Sequence, residues 1–159
     1  MRLILCAFLF VLLGCGSTIQ SSKNLKNEEI VFSTIFKGKL FGNGIEGIIE
    51  EKFTITNEKQ WQVFLNKINS VNNVSLSFTE TNINFSNHII ICVFDAIRNT
   101  GGYAIEIKRV FVEKNNLNIV YTKKGPGPME MVTTAITQPY HIVKIEKRGE
   151  DHKFINKNQ

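Results

Sequence analysis

The sequence predicts a single α+β domain, an antiparallel β-sheet laid out as a meander with one amphipathic helix packed on it. Three observations carry this reading. Runs rich in β-branched and aromatic residues follow one another between residues 30 and 147, separated by short breaks rich in Gly, Asn and Pro, which favours antiparallel neighbours. Residues 57–69 alone carry a helical apolar stripe. The stretch "HIIICVFDAI", from residue 88, is apolar on both faces, as a strand covered on both sides must be.

The elements follow in order. Residues 30–37 read as a strand, broken by "GKLFGNG" with Gly38, Gly42 and Gly44. Residues 45–56 then alternate, with Ile45, Ile49, Phe53 and Ile55 on one face and Glu50, Lys52, Thr54 and Thr56 on the other. In the helix, Trp61, Phe64, Leu65 and Ile68 fall at i, i+3, i+4 and i+7. Asn57 can cap its first turn, with Gln60 at the reciprocal third position. Trp61 is read as the anchor between helix and sheet. Residues 71–87 are irregular, pinned by Phe78, Ile83 and Phe85. Residues 103–112 alternate through Tyr103, Ile105 and Ile107 and change phase at Lys108-Arg109, which predicts a bulge. Residues 117–122 follow a turn at 114–116, and strands at 131–136 and 140–147 flank Pro139. From Arg148 the chain is charged and expected to fray.

The first residues divide into zones: Arg2, an unbroken apolar run over residues 3–13, then the small residues Gly14, Cys15, Gly16 and Ser17. This is the layout of a secretory leader. Eleven residues of helix span about 17 Å against a hydrocarbon core of about 30 Å, too short for a membrane span. Leu12-Leu13-Gly14-Cys15 resembles the bacterial lipoprotein box, which implies cleavage before Cys15 and acylation of that residue as a membrane anchor. Residues 16–29 are polar and aperiodic, a tether of roughly 20 Å reach. "GSTIQSSK", directly after the cysteine, lacks the acidic cluster that directs some lipoproteins to the cell surface. The expected address is the outer membrane, facing the periplasm.

Loss of Arg2 with the leader takes the formal charge from +5 to +4. The lysines are scattered among Glu and Asn instead of clustering with aromatics, which argues against nucleic acid. Cys6 leaves with the leader and Cys15 is acylated, so Cys92 has no partner for a disulfide. Cys92 lies in an apolar run and reads as a small core residue. His88, His141 and His152 have no metal-binding spacing, His141 reads as structural, and aspartate is too scarce for a ready Ser-His-Asp arrangement. The chain is therefore read as not an enzyme, with no cofactor and no metal. Two loops rise above this background. "NTGGY" places Thr100, Gly101, Gly102 and Tyr103 between two strands, and "KKGPGP" is stiffened by Pro126, Gly127 and Pro128. Strands running up and down would bring both loops to one edge.

"NTGGYAIEIKRV", "LNIVYTKKGPGP" and "VTTAITQPYHIVKI", in this order, resemble the PrcB C-terminal domain, a protease-complex-subunit family. "GNGIEG", "NEKQWQVFLNKI" and "INFSNHIIICVF" extend the likeness upstream. The resemblance implies an envelope-associated binding domain that stabilises or assists a membrane-associated protease complex, with no catalytic residues to carry over. It adds Pro139 and Tyr140 to Thr100, Gly101, Gly102 and Tyr103 as family-shared positions and candidate partner contacts. "NTGGY" is also similar to the Thr-Gly-Tyr loop of chagasin-type protease inhibitors, although the Arg-Pro-Trp loop of that family is missing and only Gln138-Pro139-Tyr140 stands nearby. A structural envelope protein without a defined partner is the third reading. The expected organisation is a leader over 1–14, lipidated cysteine and tether over 15–29, the PrcB-like domain over 30–147 and a charged tail over 148–159.

Overall fold

The computed structural model describes residues 27–158. The leader, Cys15 and the tether up to residue 26 lie outside the described residues. Among the described residues no helix is long and apolar enough to cross a membrane. In chain order the elements are β1 (Glu28–Glu29), β2 (Ser33–Leu40), β3 (Lys52–Ile55), α1 (Glu58–Ile68), β4 (His88–Phe94), β5 (Ala104–Glu113), β6 (Asn116–Lys124), β7 (Gln138–Glu146) and β8 (Asp151–Asn156). A 3-10 turn, Val74–Ser77, lies between α1 and β4.

The domain is mostly β with one α-helix and is largely antiparallel, as the sequence predicts. The strands form two four-stranded sheets, an inner one ordered β2-β7-β4-β3 and an outer one ordered β1-β5-β6-β8. β4 explains the division. Its even residues Ile90, Cys92 and Phe94 join Trp61, Phe64 and Ile68 of α1, while its odd residues Ile89, Ile91 and Val93 meet Ile105, Ile107, Leu117 and Ile119 of the outer sheet. All six β4 side chains are essentially inaccessible. A strand apolar on both faces needs two covers, and here one is a helix and the other a second sheet.

The helix forms where its stripe and cap foretell. The Asn57 side chain accepts from Gln60 N–H at 3.0 Å, and the Gln60 carboxamide oxygen accepts from Thr56 N–H at 2.9 Å. The reciprocal bond thus falls one residue before the cap. Trp61 is 0 % exposed. Its indole N–H donates to the Thr81 carbonyl at 2.7 Å, so its apolar bulk is buried without an orphaned donor. Truncation there would cost about 3–5 kcal/mol.

The predicted bulge lies between Ile107 and Arg109. It holds an inter-sheet contact in place, because Ile107 N–H donates to His141 Nδ1 of β7 at 2.9 Å. That bond leaves the proton on Nε2, which faces Thr34 Oγ1 at 3.1 Å. Burial, reinforced by the charge of Lys37, pushes the His141 pKa down to about 4. His141 is a neutral structural residue. Cys92 sits in the core, its thiol pushed up by burial and then by the charge of Glu51.

Five expectations are corrected. Only Lys52–Ile55 of the long alternating stretch is a strand. Asn43, Gly44 and Gly47 take positive φ and turn the chain, so Ile45 and Ile49 face solvent while Ile48 enters the core. The meander holds only locally: β5 and β6 form a hairpin through Lys114-Asn115, both at positive φ, but the inner sheet is assembled from non-consecutive strands. Residues 131–136 form an irregular loop, tied by the Gly101 N–H bond to Thr133 O and by the Arg98–Thr137 bridge at its end. Glu28 and Glu29, assigned to the tether, pair with Val112 and Phe111. The charged tail does not fray. β8 lies parallel to β6, with Phe154 against the inter-sheet core and Asp151 and Lys153 outward; the crossover is supplied by β7 in the facing sheet.

Candidate partner-binding end of the sandwich

β4 ends in Asp95, a carboxylate 1 % exposed at the rim of the inner sheet. Arg98 grips it with bonds of 3.0 and 2.8 Å, and Lys123 at the end of β6 approaches it at 2.7 Å. Burial alone would raise the Asp95 pKa; the hydrogen bonds from Lys123 and Arg98 outweigh it and leave the carboxyl below its ordinary value. Lys123 also pairs with Glu50. Burial lowers its pKa, but bonds to Asp95 and Glu50 raise it above the usual lysine value. The cluster is a clasp between the loops after β4, β6 and Gly47.

Above the clasp the loops are knitted together. Arg98 and Thr137 exchange backbone bonds of 2.7 and 2.8 Å, and Gly101 N–H donates to Thr133 O at 2.9 Å. The buried Gln138 carboxamide donates to Ile48 O and Asp95 O, both at 3.0 Å. The Arg98 guanidinium lies over the Tyr103 ring, 4.6 Å from its centre. Tyr103 also borders Gly125, and Gly102, at φ 81°, lies so close that a Cβ there would sit 2.8 Å from Val132 and 2.9 Å from Pro126. "NTGGY" and "KKGPGP" therefore meet at one end of the sandwich. The next residues form a turn: Glu130 N–H donates to Gly127 O, and the Glu130 carboxylate accepts from Gly127 N–H.

The candidate residues fare differently. Tyr103 and Pro126 are half-buried, Gly127 and Pro128 exposed, Thr100 and Gly102 half-buried, and Gly101 buried as packing. Pro139 and Tyr140 are not surface residues. Tyr140 is 0 % exposed and stacks on Phe94 and Phe36 at centroid distances of 5.2 and 5.3 Å. Burial, then the charge of Glu46, raises its hydroxyl far above the usual tyrosine pKa. The reason is strand parity, since Tyr140 and Ile142 of β7 face α1 along with Ile90, Cys92 and Phe94. The sequence reading passed over the residues that do project here. Met129 and Met131 are 97 % and 98 % exposed, with Ile97 and Ile136 partly exposed on the joined loops. "MEM" directly after a Gly-Pro repeat was the available signal, because a stiff turn cannot continue into the strand expected at 131–136. Among the described residues no three His, Cys, Asp or Glu side chains converge as metal ligands.

Residues 89–146 match the family model described as PrcB C-terminal. The match runs from β4 to β7, so it contains Asp95, Arg98 and Lys123 of the clasp and both loops. No curated protein matches the chain, and no solved structure does.

Proposed function

We propose that this chain, which carries a PrcB C-terminal domain over residues 89–146, is a non-enzymatic binding module. Held on an envelope membrane through acylated Cys15, it engages a partner protein with the loop end of its sandwich. The observation behind this reading is the presentation of Met129 and Met131, nearly fully exposed, on loops fixed from below by the Asp95–Arg98–Lys123 clasp. Unbranched, polarisable methionines adapt to varied apolar surfaces, and a rigid base lowers the entropy lost on binding. Tyr103 adds an aromatic ring held by Arg98, a residue type enriched where interfaces concentrate their energy.

The partner we favour is a membrane-associated protease complex, which the module stabilises or assists from the periplasmic side of the outer membrane. The test is cross-linking of the full lipoprotein in its own membrane, beside a form with Met129→Ser and Met131→Ser. Recovery of one abundant envelope protease with the wild type, and its loss with the double variant, is the expected result. Equal recovery with both removes the loop end from the interface. The chagasin-like alternative makes a separate demand, inhibition of a papain-type cysteine protease by the purified domain. Protease added to intact cells should leave the periplasm-facing chain uncut.

A further inference from the structure

A second surface lies between α1 and β3. β3 is an edge of the inner sheet. Phe94 N–H donates to Glu51 O at 2.8 Å, and the register pairs Phe53 with Cys92 and Ile55 with Ile90. In an antiparallel ladder bonded pairs alternate, so the N–H and C=O of Lys52 and Thr54 point away from β4. No described residue hydrogen-bonds to them. The opposite edge differs: along β2, Thr79 N–H donates to Ile35 O at 3.0 Å and the Thr79 hydroxyl reaches Thr34 O.

Beside the open edge runs a groove of about 410 Å³, within the range of about 300–1,000 Å³ typical of ligand clefts. Its floor is apolar, built from Phe53, Ile55, Val63 and Phe64. Val63 is 62 % exposed on a helix whose other apolar residues are buried or half-buried. Lys59, Val63 and Lys67 follow at i, i+4 and i+8 and make one line along α1. Both lysines are exposed, and neither is ion-paired with a described residue. Four residues of strand extend about 13 Å, which fits a short extended segment and nothing larger.

We propose that this groove takes an extended peptide segment of a partner protein as a fifth strand of the inner sheet, with apolar and acidic side chains taking turns along the row that faces α1. The backbone of Lys52 and Thr54 supplies the ladder, and Phe53, Val63 and Phe64 receive the apolar side chains. The two unpaired lysines select acidic over basic sequence. Glu51 at the other rim fixes polarity, because it disfavours an acid at the peptide position facing it. The proposal is independent of the loop-end reading and involves none of its residues.

The test uses fluorescein-labelled nonapeptides on the purified chain, read by anisotropy. The Val/Glu peptide has Val at positions 1, 5 and 9 and Glu at 3 and 7, all on one face, with Thr between; the Val/Lys peptide has Lys in place of Glu; and the third carries the Val/Glu sequence N-methylated at every second residue. The Val/Glu peptide should bind, weaken with added salt, and bind at least tenfold better than either of the others. Thr54→Pro removes the outward N–H together with the hydroxyl that meets His152 Nδ1 at 3.0 Å and should weaken binding at least tenfold, whereas Thr54→Val, which loses the hydroxyl but keeps that N–H, should not. Val63→Asp, on an exposed position, should abolish binding without shifting Trp61 emission. Absence of Val/Glu binding, equal binding of the Lys or N-methylated peptide, or full binding by folded Thr54→Pro would each overturn the proposal. So would self-association of the chain that is lost in Thr54→Pro, since a second copy would then be the occupant.

Discussion

Three glycine-to-alanine changes separate backbone strain from steric conflict and test whether the loop end is packed as described. Gly47 sits at φ 66° with nothing within 4 Å of an added Cβ, so Gly47→Ala carries only the left-handed backbone cost. That cost is about 1–2 kcal/mol, offset by about 0.4–1 kcal/mol from a less flexible unfolded chain. Gly101→Ala carries contact alone: its Cβ would meet Thr133 Oγ1 at 2.5 Å, a side chain that can rotate away. Gly102→Ala carries both. Its φ is 81°, and its Cβ would press at 2.8 Å on the β-branched Val132, stiff at χ1, and at 2.9 Å on the closed ring of Pro126. Overpacking adds about 1–3 kcal/mol, for a total of about 2–4 kcal/mol. Urea unfolding followed by the single tryptophan, Trp61, measures all three. The order should be Gly102→Ala well above the other two. A Gly102→Ala cost no larger than that of Gly47→Ala would mean that residues 99–103 do not pack on 126–132, and the composite surface would fail with it.

Other outcomes follow from the same geometry. His141 has a folded pKa of about 4 against about 6.5 when unfolded, so the unfolded chain binds the extra proton and stability falls on acidification through that window. From pH 6.5 to 5 the loss should be about 2 kcal/mol by urea unfolding; His152, lowered by burial, adds the same sign, and a slope unchanged in His141→Gln would refute the assignment. Phe154→Ala should cost about 2–3 kcal/mol by the same assay if β8 is a working strand, and almost nothing if the tail frays. Cys15→Ser should move the protein out of the detergent phase on partitioning; retention there would end the lipid-anchor reading.

What the sequence disclosed and what it hid divide along physical lines. Local signals were legible. The α1 stripe, the Asn57 cap and the phase change at Lys108 each depend on neighbours in sequence, and each is where the residues put it. The both-faces character of β4 disclosed two covers without saying that one would be a sheet, because burial marks a face without identifying its partner. β8 was hidden since Asp151 and Lys153 occupy its outward face, leaving only His152 and Phe154 to hint at alternation. The candidate site was half legible for a related reason. Glycine and proline mark a loop's shape from sequence alone, so "NTGGY" and "KKGPGP" could be paired in advance. Which aromatic beside them faces water is a matter of strand parity, and parity at Tyr140 is fixed by pairing with β4, 46 residues upstream at Phe94. Tyr103, one residue before β5 begins, escapes that constraint and lies under Arg98 instead. Surface apolar residues become informative only after the core has claimed its own. Once Tyr140 is assigned inward, Met129, Met131 and, beside α1, Val63 stand out as the most exposed apolar side chains at these two surfaces.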